Sequence, residues 1–211
     1  MRRRAGALAI AAALGLSACG GGSGDDSGGS NGGTTPPPPP PPASVTFSEL
    51  TTSFDTLFAT ATGGSSDIVA LPSSGTASFE GAAVFGDITR DQADIQANPS
   101  LASRVELNLD FNTTAVTGRL FDFRSSTPGA TTSGQIDMSN GAFVNGPPPG
   151  YQARLAGSVT ENGTTSTYGG QFSGLQGFLT TSGTTFGVIT LDEGSDGLND
   201  TKDLKGNFAA N

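Results

Sequence analysis

Arg104-Val105-Glu106-Leu107-Asn108-Leu109-Asp110-Phe111 places a polar residue at every even position and an apolar one at every odd position. Side chains on a β-strand alternate between faces, so this octet reads as an antiparallel strand with one face in a core and one in water. Tyr151-Gln152-Ala153-Arg154-Leu155 repeats the pattern through Gly157 and Val159, and similar runs cover 76–86, 115–123, 133–144, 166–176, 184–191 and 203–209. Turn residues separate them at Asn112-Thr113, Pro128-Gly129, Gly146-Pro147, Asn162-Gly163 and Ser182-Gly183. Glu161-Asn162-Gly163-Thr164 is the strongest hairpin signal, because Asn-Gly suits the two positive φ angles of a type I′ turn. About eight hairpin-linked strands with no helix-length insertion predict an all-β chain, closed as an eight-stranded up-and-down barrel that removes its own edges. Phe79, Phe85, Leu107, Leu109, Phe111, Leu155, Phe172, Phe186 and Phe208 are the expected inner layer. At that density of Phe a small barrel is expected to be filled; the rival expectation is a lipocalin-like ligand cavity.

Upstream, Phe47, Leu50, Phe54, Leu57 and Phe58 recur at helical spacing, which predicts one short amphipathic helix with Ser48 as its N-cap, ending near Gly63-Gly64. Its Phe stripe is expected to plug against the main fold. Residues 44–70 thus form a helix and lead-in, and 71–211 the barrel.

Before them the composition changes. Arg2-Arg3-Arg4, the apolar run 5–16 and a small-residue ending have the form of a signal peptide over 1–18. The run is too short for a membrane-spanning helix, which needs about 20 apolar residues. Leu16-Ser17-Ala18-Cys19-Gly20 resembles the lipobox of bacterial lipoproteins, in which the Cys is diacylated and becomes the first residue. Cys19 is the single Cys of the chain, and a free thiol with no role would be a liability outside the cytoplasm. Gly20 stands where retention at the inner membrane, in the lipoproteins it resembles, needs Asp, so the expected destination is the outer membrane. Residues 19–43 are the lipidated Cys and a Gly/Ser/Pro-rich linker without apolar side chains, expected to be disordered. Pro36 to Pro42 would hold roughly 20 Å of polyproline II as a spacer.

A net charge of −9 argues against sequence-independent nucleic-acid binding, which needs clustered Lys and Arg. With no His there is no Ser-His-Asp or Cys-His arrangement, so no catalytic residue and no cofactor is assigned and the chain is read as a non-enzyme. Loop 192–203 carries oxygen side chains at its first, fifth and twelfth positions, Asp192, Asp196 and Asp203, with Gly197 at the sixth. That echoes an EF-hand calcium loop, but Gly194 stands third and Asp rather than Glu twelfth. A solvated acidic loop between the last two strands is the favoured reading, with calcium as the weak alternative.

The stretches Leu71-Pro72-Ser73-Ser74-Gly75-Thr76-Ala77-Ser78-Phe79-Glu80-Gly81, Leu109-Asp110-Phe111-Asn112 with Val116-Thr117-Gly118, Tyr168-Gly169-Gly170-Gln171-Phe172-Ser173-Gly174 and Leu204-Lys205-Gly206-Asn207-Phe208 resemble, in that order, the β-barrel domain of bacterial transferrin-binding protein B. Ser173 replaces the usual Tyr. The resemblance implies a soluble eight-stranded barrel on a surface lipoprotein, linked to nutrient or iron acquisition. It does not imply transferrin binding, since the receptors it resembles are much longer and have two lobes with large handle domains. The expected partners are the outer membrane, through the N-terminal lipid, and an unidentified protein or small ligand bound by a monomer. Two alternatives stand beside this: a passive surface lipoprotein, and a barrel inserted in the membrane. The latter lacks aromatic girdles, with two Tyr and no Trp.

Overall fold

The computed structural model describes residues 44–63, 67–169, 174–194 and 203–211. Helix α1 (Phe47–Thr62) leads into strand β1 (Thr76–Asp87), the short helix α2 (Gln92–Ala97), then β2 (Leu101–Asp110), β3 (Ala115–Ser125), β4 (Thr132–Val144) and β5 (Gly150–Glu161). The chain continues as β6 (Thr164–Tyr168), β7 (Gly174–Leu179), β8 (Thr185–Leu191) and β9 (Leu204–Ala210). Every neighbouring pair is antiparallel, in the order β4-β3-β2-β1-β9-β8-β7-β5, and pairing of β4 with β5 closes the ring of eight. The expected barrel is present.

The strand predicted over 166–176 is two segments. β6 pairs with Gly157–Glu161 and β7 with Tyr151–Arg154, so both use the same edge of β5 in succession. β5 is long enough to template both. Asn162 and Gly163 at the β5–β6 turn have φ of 50° and 80°, as the Asn-Gly signal requires.

The lumen is packed by rings that lie over glycines. Phe208 faces Gly187 across the β8–β9 ladder, and a Cβ on Gly187 would come within 2.7 Å of its ring. Phe85 covers Gly206 in the same way at 2.7 Å, and the Tyr151 ring occupies the space a side chain at Gly177 would need. Around the girth, along Tyr151, Gly177, Gly187, Phe208 and Ala83, no two large residues are therefore neighbours. Phe79, Phe85, Leu107, Leu109, Phe111, Leu155 and Phe208 join one continuous buried cluster, as expected of the inner layer. Phe172 lies outside the described residues.

Phe186 does not belong to that layer. Gly187 must face inward to receive Phe208, so strand alternation sends Phe186 outward, where its ring meets Phe58 edge-on at 6.0 Å. The outward side of β1, β2 and β9 is small and apolar here, with Ala82, Ala102 and Ala209 fully buried, because α1 covers it with Leu50 and Phe54. The N-cap of α1 is Thr46 rather than Ser48. Thr46 and Glu49 form a reciprocal capping box that satisfies two otherwise open N–H groups, whereas Ser48 falls in the first turn.

The connection between β1 and β2 is not a plain loop. α2 packs Ile95, with no exposed surface, against Gly86, and Gln92 hydrogen-bonds Asn207 of β9. Its six residues were too short to show a helical period.

Because Phe208 is fully buried over a glycine, Phe208→Ala is expected to cost about 3–5 kcal/mol in denaturant unfolding. Gly187→Ala, which has no room for its Cβ, is expected to destabilise as well. Thr127→Ala at a surface turn is expected to stay within about 0.5 kcal/mol of the parent.

Candidate functional site

A β-bulge decides what the outer wall displays. Leu120 and Phe123 both point into the lumen, three positions apart, because Asp122 adopts a left-handed φ of 52° and the pairing with β2 slips between Ala102 and Arg104. Without the slip, Phe121 and Phe123 would share a face. With it, Phe121 stands outside, and bulges are a common means of re-aiming one side chain.

Two guanidinium groups hold that ring. Arg119 lies 4.4 Å and Arg104 5.6 Å from its centroid. Arg119 also binds Glu106 on β2 through two hydrogen bonds of 2.7 and 3.0 Å, which hold the Glu106 carboxyl below the usual range. Arg104 has a looser partner in Asp122, at 3.7 Å. Arg124 anchors the start of α1 by donating from Nε to the Val45 carbonyl at 2.5 Å.

Between this wall and α1 runs a groove of about 800 Å³. Ser48, Thr52, Ser53 and Thr56 line its helical side, and Glu80, Arg104, Glu106 and Phe121 its barrel side. Its size falls within the usual 300–1,000 Å³ of small-molecule sites. A second recess, of about 500 Å³, lies at one mouth of the barrel among Ser100, Ser125, Asn162 and Tyr168. Next to it, Phe85 and Phe123, with ring centroids 6.3 Å apart and no exposed surface, fill the lumen.

Asp192 and Asp203 are both fully buried, at the end of the β8–β9 ladder. Asp203 accepts a hydrogen bond from the Glu193 N–H at 2.9 Å, and its own carbonyl accepts one from Ile88 at 3.0 Å. The Asp192 carbonyl accepts from Gly169 at 3.1 Å, which ties this segment to the end of β6. The ends of the acidic loop are therefore structural joints of the barrel rather than solvated positions. Asp196 lies outside the described residues, as do Cys19 and the whole of 1–43. Among the described residues, no group of three or more His, Cys, Asp or Glu side chains is placed to hold a metal ion.

None of the groove residues is singled out from the sequence as a binding residue: Arg104 and Glu106 read as the wet face of a strand and Ser48 as a helix cap. The signal available was the phase break Leu120-Phe121-Asp122-Phe123, where two Phe at even spacing flank an Asp. Comparison with protein-family models, curated proteins and solved structures finds no match.

Tyr168 is 6% exposed at the barrel mouth; burial first, then the negative charges of Glu193, Asp203 and Glu161, push its phenol up to about 12. Burial pushes Tyr151 up as well. A phenol whose folded pKa is raised stabilises the fold below its unfolded pKa of 10 and loses that contribution as pH rises toward the folded value. Since these are the two Tyr of the chain, phenolate absorbance is expected to stay absent at pH 10 to 11 in the folded protein and to appear as it unfolds. A two-phenol titration centred on pH 10 in the folded state would contradict this.

Proposed function

We propose that this chain is a lipoprotein anchored to the bacterial outer membrane through diacylated Cys19, with its barrel acting as a rigid binding module that receives a ligand on its outer wall. The observation that carries the reading is the groove beside Phe121: the lumen is closed by its own aromatic rings, while a bulge turns a further ring outward into a cleft of ligand size. The lipobox-like stretch around Cys19 and the resemblance of 70–211 to the barrel of transferrin-binding protein B support the anchored, surface-exposed setting. The resemblance also favours a role in nutrient or iron acquisition. A wall inserted in lipid would need an apolar outward band, whereas the outward side of β2 presents Arg104, Glu106 and Asn108. That polarity favours a barrel standing in water.

Two measurements test this. In a membrane fractionation, wild type is expected in the membrane pellet with the added mass of acyl chains, and Cys19→Ser in the soluble fraction with neither; retention of the variant would defeat the anchored reading. In a thermal-shift panel of neutral saccharides, anions, polyamines and short peptides, any probe that stabilises the full chain is expected to lose its effect in Phe121→Ala. Stabilisation indifferent to that change, or none by any probe, would defeat the groove as the binding site.

A further inference from the structure

We propose that the groove between α1 and the outer wall takes a neutral saccharide of two or three units. This rests on the reading of that groove as the binding site and adds the ligand's chemistry. The charges decide first. Glu49 directs its carboxylate to the Thr46 cap, and Glu106 is held by Arg119. That leaves Glu80 and Arg104, diagonal neighbours on the outer faces of β1 and β2, as the charges presented to the groove, Arg104 with Asp122 only as a loose partner at 3.7 Å. One carboxylate beside one guanidinium favours neither a polyanion nor a polycation, and the chain's net charge of −9 further disfavours an anion.

The backbone decides next. The barrel side of the groove is a sheet face whose strands β1, β2 and β3 are paired on both edges, so an extended peptide has no ladder to join. What the groove offers is a row of aliphatic hydroxyls on one side and, on the other, a phenyl ring with a carboxylate acceptor and a guanidinium donor. A hydroxyl both donates and accepts, as sugar hydroxyls do, although the Thr56 O–H donates to the Thr52 carbonyl at 2.9 Å and so offers the groove an acceptor. A planar five-donor guanidinium can bridge adjacent oxygens. Arg119, which lies over the Phe121 ring at 4.4 Å, is not among the residues lining the groove, so the part of the ring that does line it is an apolar wall for the C–H edge of a pyranose. A ligand with apolar C–H faces and alternating donors and acceptors matches that set, and the groove volume of about 800 Å³ is ample for two or three sugar rings.

The test uses the full chain and defined probes: maltotriose, chitotriose, a tetralysine peptide and inorganic pyrophosphate, titrated calorimetrically. At least one trisaccharide is expected to bind with a Kd of about 1 mM or tighter, equivalent to roughly −4 kcal/mol. Phe121→Leu, Arg104→Gln and Glu80→Gln are each expected to weaken it tenfold or more, and Thr164→Ala at the barrel mouth to leave it unchanged. Cross-strand hydrogen exchange checks that each variant keeps the barrel. If the charged probes bind and the same three changes abolish that binding, the saccharide assignment falls and the groove stands. If a trisaccharide binds but ignores all three changes, or if no probe binds, the proposal is overturned.

Discussion

The structure depends on three rings laid over three glycines: Tyr151 on Gly177, Phe208 on Gly187 and Phe85 on Gly206. An eight-stranded barrel has an interior only just wide enough for its own side chains, so large inward residues on adjacent strands would collide. Placing a glycine directly opposite each ring lets the ring fold flat across the neighbouring strand. Strands can then close at ordinary spacing while the lumen still reaches dense packing. Closure follows from that packing, and it leaves each of the eight ring strands paired on both sides.

The same constraint governs the outside. Once Gly187 is committed inward, Phe186 must point outward, and it needs a cover; α1 supplies one through Phe58 and the stacked pair Phe54–Phe58. Once Phe123 is committed inward against Phe85, the bulge at Asp122 puts Phe121 outside, where two arginines hold it at the groove. Of these two outward rings, that of Phe186 packs against a helix and that of Phe121 lines the groove. Interior packing thereby determines which side chains stand on the outer wall.

The architecture was legible from period-two alternation and turn chemistry, which need only local residues: the octet at 104–111 and Asn162-Gly163 name their strand and turn without help. The inner layer was legible wherever alternation was clean, as at Leu107, Leu109 and Leu155. It failed at Phe186 because hydrophobicity alone assigns the larger residue to the core, while the packing of Phe208 reserves the inward position for a glycine. The split of 166–176 into β6 and β7 was hidden because both halves are strand-like and only the length of β5 shows that they share an edge. The Thr46 capping box is readable as Thr-x-x-Glu, whereas Ser48 has Thr51 rather than Glu or Gln three residues on. The groove was not readable at all. It depends on a backbone slip of one residue and on where α1 docks, and both are tertiary facts.

Ring-current shifts measure the central claim most directly. With Tyr151, Phe208 and Phe85 lying over their glycines, the Hα protons of Gly177, Gly187 and Gly206 should resonate far upfield in the proton spectrum. Each should also show nuclear Overhauser contacts to its own ring. Hα shifts at ordinary strand values, with no contact to those rings, would mean the lumen is not filled in this way and would contradict the account.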